Sequence, residues 1–288
     1  MTLATTQDLI EQVVSERRAL ASLNVITLEH AEGIVLGAER AGTPVVLQIS
    51  ENAILFRGGA FRPLLAACRE VAIAAAVPVA LHLDHLTNLE LVDAVLDAST
   101  EFGISSIMID ASELENSENI RVTREVADAA HAFGLWVEAE LGTIGGKGGA
   151  HRPGARTDPA EASDFVNRTH VDGLAVAVGS AHAMAARDAT LDFELLDRLS
   201  SALPVPLVLH GSSGVPDEGI REAVARGIRK VNVGTALNQA ARRGVLDHDL
   251  SASASSDPRP YLRSAREAIA QATDHICRLL QPGEHVYR

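Results

Sequence analysis

The chain has 288 residues, of which 47% are hydrophobic and 22% are charged. This length can bury one large core or two small ones, and the composition is too apolar for a disordered protein. The formal net charge of −13 argues against a nucleic acid as the main partner, because most of the surface would repel phosphates. Neither a run of roughly 18 apolar residues nor a signal peptide is evident, so no membrane partner is expected. Cys68 and Cys277 are too few for a disulfide framework, which favours a reducing cytoplasm.

Short apolar runs alternate with longer helical patterns along almost the whole chain. Eight runs are nearly continuous in Val, Ile, Leu and Ala, as expected for strands that are covered on both faces. These predicted strands are Asn24–Thr27, Pro44–Ile49, Val79–Leu83, Ser106–Ile109, Leu135–Glu140, Gly173–Val178, Leu207–Leu209 and Lys230–Val233.

Helical patterns follow these runs, and several stop just before a glycine, as helices that return to a strand commonly do. They are Glu29–Ala41, Phe61–Ala75, Asn88–Phe102, Asn116–Phe133, Asp158–Arg168, Phe193–Ser201, Pro216–Arg226 and Thr235–Arg243. Thr6–Leu20 predicts an extra N-terminal helix, and Tyr261–Leu280 predicts a C-terminal helical extension. Eight such units in about 250 residues predict a (β/α)8 TIM barrel, with residues 1–288 as a single domain. A doubly wound open sheet is the alternative, but no glycine-rich dinucleotide turn follows the first run.

Three histidines follow predicted strands at equivalent positions. The chemistry of a TIM barrel lies at the carboxyl ends of its strands and in the loops just beyond them. His85, His182 and His210 fall there, after the third, sixth and seventh strands. Three imidazoles with an open fourth position are typical of a catalytic divalent site, most naturally Zn²⁺. A single histidine at a strand end is more often a hydrogen-bonded structural residue, and His82 can be interpreted in that way.

Carboxylates accompany these histidines. Asp84 immediately precedes a predicted ligand, where it could exchange a proton with a substrate hydroxyl beside the metal. It could instead accept a hydrogen bond that orients a histidine. Asp110 and Glu140 follow the fourth and fifth strands, and two interpretations fit them: a second, weaker cation site, divalent or monovalent, or carboxylates that orient the ligands.

Two turns and one loop complete the predicted site. The turns Gly211–Gly214 and Asn232–Thr235 follow the last two strands, where TIM barrels commonly build a phosphate site from backbone amides and a helix N-terminus. Ser213 and Thr235 could add hydroxyl donors. The loop 142–157 is rich in glycine and in basic side chains, and its length predicts a functional role.

The pattern resembles that of the class II, metal-dependent ketose-bisphosphate aldolases, which include the fructose-1,6-bisphosphate and tagatose-1,6-bisphosphate aldolases. The matching segments occur in order and span most of the chain. They are LHLDH (81–85), MID (108–110), VEAELG (137–142), LAVAVGSAH (174–182), LVLHGSSG (207–214), KVNVGT (230–235) and DPRPYL (257–262).

The resemblance implies a role for each matching residue. His85, His182 and His210 would hold a catalytic zinc ion, and Asp84 would be the proton donor. Asn232 would lie near the enediolate, and Arg259 would reach a neighbouring subunit's site to hold a second phosphate, in a homodimer or homotetramer. Further substrate contacts would come from residues along the two turns and beside them: Ser50, Ala183, Gly211, Ser212, Ser213, Asn232, Val233, Gly234 and Thr235.

Three departures from the family pattern bear on the substrate. Ala183 stands where a glycine usually follows the histidine of the sixth strand, and Leu23-Asn24 is followed by Val25 instead of further asparagines. The loop from Gly145 to Arg156 contains no acidic residue to handle the enolisation proton. Its basic side chains could contact an anionic group of the substrate instead.

The predicted function is a zinc-dependent lyase that cleaves a ketose phosphate, foremost fructose 1,6-bisphosphate, to dihydroxyacetone phosphate and an aldehyde such as glyceraldehyde 3-phosphate. This reaction belongs to carbohydrate metabolism, including glycolysis. Tagatose 1,6-bisphosphate or a deoxy-keto-gluconate phosphate is the alternative substrate. Two alternatives lie outside this class: a metal-dependent hydrolase and a non-catalytic barrel that binds sugar phosphates. The first strand lacks the His-x-His common in such hydrolases, and the chain retains Asp84 and all three histidines, which a mere binding protein would not need.

Overall fold

The computed structural model describes residues 3–141, 156–180, 186–247 and 256–281. Within these ranges, eight parallel strands pair in chain order and close into a barrel, which confirms the predicted fold. The strands are β1 (Leu20–Asn24), β2 (Val45–Ser50), β3 (Val79–Leu86), β4 (Ile104–Ile109), β5 (Trp136–Glu140), β6 (Gly173–Ala175), β7 (Leu207–Leu209) and β8 (Ile228–Val233).

Helices cover the outside of the barrel because each strand is followed by an amphipathic segment whose apolar side packs on the strands. They are α1 (Thr6–Ser15), α2 (Leu28–Ala41), α3 (Glu51–Phe56), α4 (Arg62–Ala74), α5 (Leu89–Phe102), α6 (Asn116–Ala132), α7 (Pro159–Thr169), α8 (Phe193–Ala202), α9 (Asp217–Ala225), α10 (Thr235–Asp247) and α11 (Arg259–Leu279). No helix in the described ranges is both long and apolar enough to cross a bilayer.

The first strand was predicted wrongly, at 24–27 instead of Leu20–Asn24. The predicted N-terminal helix extended to Leu20, the first residue of β1, and the predicted strand began only at Asn24, its last residue. The helix α1 ends at Ser15, and Arg17 then adopts a left-handed conformation with φ 54°. Asn24 is consequently the last residue of β1, which places it at the carboxyl end of the barrel.

Two other elements differ from the prediction. The short helix α3 was missed because it follows β2 directly, without an intervening loop. Ser50, the last residue of β2, caps this helix: its hydroxyl accepts a hydrogen bond from the Ala53 amide at 3.3 Å. The strand β6 ends at Ala175 instead of Val178. Beyond it, the Thr157 hydroxyl and amide pair with the backbone of Ala177, which ties the segment before α7 to the sixth strand position.

The helix α1 closes the amino-terminal end of the barrel. Its apolar residues Leu9, Ile10 and Val13 form one cluster with side chains from inside the barrel, among them Leu20 and Trp136. At the start of α1, Thr6 hydrogen-bonds to the hydroxyls of Ser105 and Ser106. The end of the barrel that is open to a ligand is therefore the opposite one, at the carboxyl ends of the strands.

The C-terminal helix α11 packs unusually close to α2. A Cβ atom at Gly37 would lie 2.4 Å from the carbonyl oxygen of Ala270 and 2.5 Å from Cβ of Thr273. A Cβ atom at Gly33 would lie 2.8 Å from both the carbonyl oxygen of Arg266 and Cγ2 of Ile269. Only glycine therefore allows the two helix backbones to approach this closely.

Candidate active site

A cavity of about 1340 Å³ opens at the carboxyl ends of the strands. Asp84, His85, Asp110, Glu140 and Asn232 line it, and Gly211–Ser213 form part of its wall. The cavity thus brings together the predicted catalytic residues, the predicted ligand His85 with the carboxylates of Asp110 and Glu140, and the turn after β7. The predicted ligand His210 is completely buried and does not line the cavity.

Asp84 and His85 are consecutive, yet both reach the cavity because β3 is irregular at this point. The pairing of β3 with β4 moves from Leu83 opposite Ile107 to Leu86 opposite Ile109, so β3 contains one extra residue there. His85 has φ 49°, in the left-handed region. Such a bulge interrupts the alternation of side chains, so two neighbours can face the same side of the sheet.

His85 is oriented by a carboxylate from the next strand. Its Nδ1 lies 2.9 Å from Oδ2 of Asp110, whose other oxygen accepts hydrogen bonds from the amide and the hydroxyl of Ser112. Burial lowers the pKa of His85, but the charges of Asp84 and Asp110 outweigh it and raise the pKa to about 10. The surroundings of this imidazole thus favour a positive charge.

His210 is held from the opposite side. Its Nε2 lies 2.7 Å from Oε1 of Glu138, and both side chains are completely buried. Its Nδ1 lies 3.9 Å from Oε2 of Glu140. The rings of His85 and His210 meet edge to face, with their centroids 5.0 Å apart.

These donors fit a divalent cation. His85, Glu140 and His210 each offer one ligand atom, and the three atoms lie within 4.8 Å of one another. Imidazole nitrogen and carboxylate oxygen are common ligands of Zn²⁺. His85 and His210 are each fixed through the nitrogen on the far side of the ring by a carboxylate, as metal-binding histidines usually are. The third predicted histidine ligand, His182, lies outside the described residues.

Comparison with known proteins shows which family this chain resembles over almost its whole length. The family described as "Fructose-bisphosphate aldolase class-II" matches residues 4–284. A protein of Geobacillus stearothermophilus named fructose-bisphosphate aldolase is 34% identical over 273 residues, which cover 93% of each chain. The crystal structure of the YdjI aldolase from Escherichia coli K12 superimposes with a TM-score of 0.82, 32% identity and 98% coverage of each chain.

The chain belongs to the class II fructose-bisphosphate aldolase family. It is therefore an aldolase, a lyase, and the hydrolase and the non-catalytic sugar-phosphate barrel are set aside. Its substrate is a small molecule, a sugar phosphate. The family also implies a divalent metal, which agrees with the cluster of histidine and glutamate donors.

The carboxylate of the aldolase's Asp84 lies beside the donor cluster. Burial raises the pKa of Asp84, but the charge of His85 and the neighbouring His82 more than compensate, and the pKa lies well below its usual range. The Oδ1 atom of Asp84 is 3.8 Å from Nε2 of His82. The Nδ1 atom of His82 is 2.8 Å from the Ser106 hydroxyl, so this histidine is a buried residue beneath the site.

The turns after β7 and β8 lie next to each other in the cavity wall. Ser213 accepts a hydrogen bond from the Ala236 amide at 3.1 Å, which joins the first turn to the start of α10. Ser212 donates its hydroxyl hydrogen to the backbone oxygen of Asn232 at 2.6 Å, so the donor that it can still offer to a ligand is its amide. Gly234 and Thr235 line the cavity beside them, at the N-terminus of α10.

Of the other predicted substrate contacts in the described residues, Ser50 lines the cavity, and Val233 and Arg259 do not. The side chain of Val233 is packed in the apolar core, so only its backbone could meet a ligand. Arg259 is 83% exposed and pairs with Asp257 outside the cavity of its own chain. Ala183 and the loop 142–155, with its predicted basic contacts, lie outside the described residues.

Sequence analysis missed several polar groups inside the barrel. Lys230 and Glu138 are completely buried beneath the site and form an ion pair, and Gln48 donates to Asn24 at 2.8 Å in the cavity wall. The prediction assigned roles to residues at the strand ends and in the loops just beyond them, and none to Lys230 or Glu138. The alternation of side chains along a strand could have revealed these two residues, because Lys230 shares a strand face with Asn232, and Glu138 shares one with Glu140.

Proposed function

We propose that this aldolase reversibly cleaves a ketose phosphate to dihydroxyacetone phosphate and an aldehyde. Fructose 1,6-bisphosphate is the first candidate substrate, with glyceraldehyde 3-phosphate as the aldehyde, and tagatose 1,6-bisphosphate is the second. The names of the relatives support this substrate class. The observation that carries the proposal is that Asp84 lines one cavity with His85 and Glu140, whose ligand atoms lie within 4.8 Å of that of His210.

We propose zinc as the metal, held by His85, His210 and His182. When bound, zinc supplies a Lewis acid that polarises the ketone and stabilises the enediolate. Asp110 and Glu138 orient the two described histidines through their far nitrogens. Glu140 is close enough to serve as a further ligand or to accept a second cation, divalent or monovalent.

Asp84 would take the proton from the C4 hydroxyl during cleavage and return it during condensation. Its low pKa keeps it ionised, and so able to accept this proton. Asn232 would donate an amide hydrogen to the enediolate oxygen. The turns after β7 and β8 would hold the phosphate with backbone amides, which aligns the breaking bond.

This route requires no lysine Schiff base. Among the described residues that line the cavity there is no lysine. Lys230 is inside the barrel, but it is completely buried and bonded to other side chains. The described groups of the cavity therefore support metal-assisted cleavage, and none of them is a lysine that could form an imine.

The domain organisation, the cellular location and the assembly of the enzyme are also proposed here. We propose that residues 1–288 act as one domain, and that the enzyme works in the cytoplasm, in carbohydrate metabolism such as glycolysis. We further propose a homodimer or homotetramer in which Arg259 of one subunit holds the second phosphate in a neighbouring subunit's site. The exposed position of Arg259, away from its own cavity, is compatible with that role.

The decisive experiment measures aldol cleavage with a panel of ketose phosphates, using zinc-loaded and chelator-treated enzyme. Activity should disappear on chelation and return with zinc. Treatment with borohydride in the presence of substrate should neither inactivate the enzyme nor leave a covalent adduct. Full activity in the chelated enzyme, or a trapped adduct on a lysine, would contradict the metal-dependent mechanism. Failure to cleave any ketose phosphate of the panel would reject the proposed substrate class.

A further inference from the structure

His82 faces Asp84 from the layer beneath the cavity. It lies on β3 opposite Ser106 of β4, is 1% exposed, and does not line the cavity. Its Nε2 is 3.8 Å from Oδ1 of Asp84, which is longer than a formed hydrogen bond. Both atoms are buried, and neither has a hydrogen-bond partner in the part of the chain that the structure describes. Because buried polar atoms without partners are costly, the attraction between these two atoms stabilises both.

The two oxygens of the Asp84 carboxylate have different surroundings. Asp84 lines the cavity, yet its Oδ1 is buried and faces His82. Oδ2 is therefore the oxygen that remains for a substrate hydroxyl. A proton-transfer group must bring one oxygen within hydrogen-bond reach of that hydroxyl, and a misplacement of about 1 Å can cost 10²-fold in rate. The rotation of the carboxylate about its last bond is thus the variable that has to be fixed.

The ring of His82 is itself held from below by a chain of hydroxyl groups. Its Nδ1 lies 2.8 Å from Oγ of Ser106, which lies 2.6 Å from Oγ1 of Thr6, the first residue of α1. Ser106 and Thr6 are completely buried. The chain therefore anchors the imidazole to the helix that closes the amino-terminal end of the barrel.

The contacts of His82 are consistent with a hydrogen on Nε2. Burial and the charge of Lys230 lower the pKa of His82, which favours a neutral ring with one hydrogen. An ionised Asp84 can only accept, so a hydrogen on Nε2 attracts Oδ1, whereas a lone pair there would repel it. Nδ1 then accepts the hydroxyl hydrogen of Ser106, and Ser106 can accept that of Thr6, so each group in the chain donates once.

We propose that His82 is a positioning residue for Asp84: its Nε2–H attracts Oδ1 and so turns Oδ2 towards the substrate hydroxyl. This inference rests on the proposed function in assigning the proton transfer to Asp84. A histidine that only filled space would stabilise the barrel equally well, but its loss would not affect carbon–carbon cleavage selectively.

The first test uses the unaltered enzyme and needs no substrate. Nitrogen-15 NMR of histidine-labelled, zinc-loaded protein should show a neutral His82 with its hydrogen on Nε2, the signal being assigned by its absence from His82→Gln. A hydrogen on Nδ1 would overturn the proposal. The result does not depend on the sugar, so it remains informative if no ketose phosphate is cleaved, an outcome that would reject the proposed function instead.

The second test compares His82→Met, which removes the donor, with His82→Gln, whose amide can donate from nearly the same place. In His82→Met we expect kcat for cleavage to fall roughly 10- to 100-fold, with KM little changed. Zinc content and the exchange of the C1 proton of dihydroxyacetone phosphate should stay near wild type, because neither involves the C4 hydroxyl. His82→Gln should retain most of the cleavage rate. Equal losses in the two variants, or a parallel fall of cleavage and exchange, would overturn the proposal.

A double-variant cycle shows whether His82 acts through Asp84. In the background of Asp84→Asn, the further change His82→Met should cause no additional loss of cleavage, because the group that it positions is already gone. Losses that multiply would mean that His82 acts independently of Asp84, and the proposal would be wrong.

A milder variant tests the same chain if changes at position 82 prevent folding. Ser106→Ala keeps the imidazole but removes its hydroxyl partner, so cleavage should fall less than in His82→Met while exchange is unchanged. Ser99→Ala is the matched control: Ser99 is 2% exposed in α5, and its Oγ has no hydrogen-bond partner within the described ranges. This control should leave both rates unchanged. Equal cleavage rates in Ser106→Ala and Ser99→Ala would overturn the proposal.

Discussion

At the scale of single residues, the proposed roles of Asp84 as the proton-transfer group and of His85 as a metal ligand require both side chains to reach the same cavity. Both can do so only because of the extra residue in β3, which directs consecutive side chains to the same side. A regular strand would have sent one of them into the layer between the barrel and its helices. The bulge is therefore as much a part of the site as the side chains that it displays.

This division of roles predicts the effect of Asp84→Asn. The change keeps the size of the side chain but removes the proton acceptor, so carbon–carbon cleavage should slow about 10²- to 10⁴-fold. Exchange of the C1 proton of dihydroxyacetone phosphate should be largely retained, since it does not involve the C4 hydroxyl. Both rates can be followed on the same preparation, together with its zinc content. Parallel loss of cleavage, exchange and zinc would mean that Asp84 serves only to orient His85.

The residues that sequence alone could place in the site are those that end a strand or follow it directly. Asp84, His85, Asp110 and Glu140 were expected there and line the described cavity, and His210 is completely buried beside it, with a ligand atom within 4.8 Å of those of His85 and Glu140. Lys230 and Glu138 were not expected, because they lie two residues further back on their strands, in the layer beneath the cavity. Their role depends on which partners the closed barrel places opposite them, and no local pattern contains that information.

At the scale of elements, alternation and helix-terminating glycines were enough to predict nearly all helices and strands. The misplaced β1 shows the limit of this approach. Leu20–Leu23 reads equally well as the end of an amphipathic helix or as a buried strand, and the pairing of β1 with both β2 and β8 decides between them. Tertiary pairing of this kind overrides local propensity.

The close contact between α2 and α11 makes a prediction at this scale. Gly37→Ala should destabilise the enzyme by about 1–3 kcal/mol, because the added methyl group has no space against the backbone of α11. The midpoint of thermal or urea unfolding measures the loss, and kcat of the folded enzyme should be unchanged.

Gly219→Ala in α9 is the matched control for Gly37→Ala. There the added methyl group would meet a single side-chain methyl of Val215 at 2.9 Å, and no backbone atom. Because alanine is also the better helix former by about 1 kcal/mol, a much smaller loss is expected. Equal destabilisation by the two changes would show that backbone proximity is not what requires glycine at position 37.

At the scale of the whole molecule, the proposed exchange of Arg259 between subunits can be tested by mixing two variants that are each impaired towards a bisphosphate. Arg259→Ala should raise KM for a bisphosphate much more than for a ketose monophosphate, and Asp84→Asn should slow cleavage about 10²- to 10⁴-fold. In a hybrid of the two variants, one site has both residues intact, so activity towards the bisphosphate should reappear after dissociation and reassembly. Mixtures that stay as inactive as their components would exclude a contribution from a neighbouring subunit.

The packing of α11 on α2 also bears on how the polypeptide is made. The strand β1 pairs with β8, α2 lies against α11, and the Ala19 amide donates to the carbonyl of Leu280. The start of the chain therefore reaches its final contacts only after residue 280 has left the ribosome. Until then, the open edge of β1 and the apolar side of α2 remain uncovered, and such long-range closure is slow and prone to aggregation. We therefore expect the nascent chain to be most prone to aggregation late in its synthesis, just before the barrel closes.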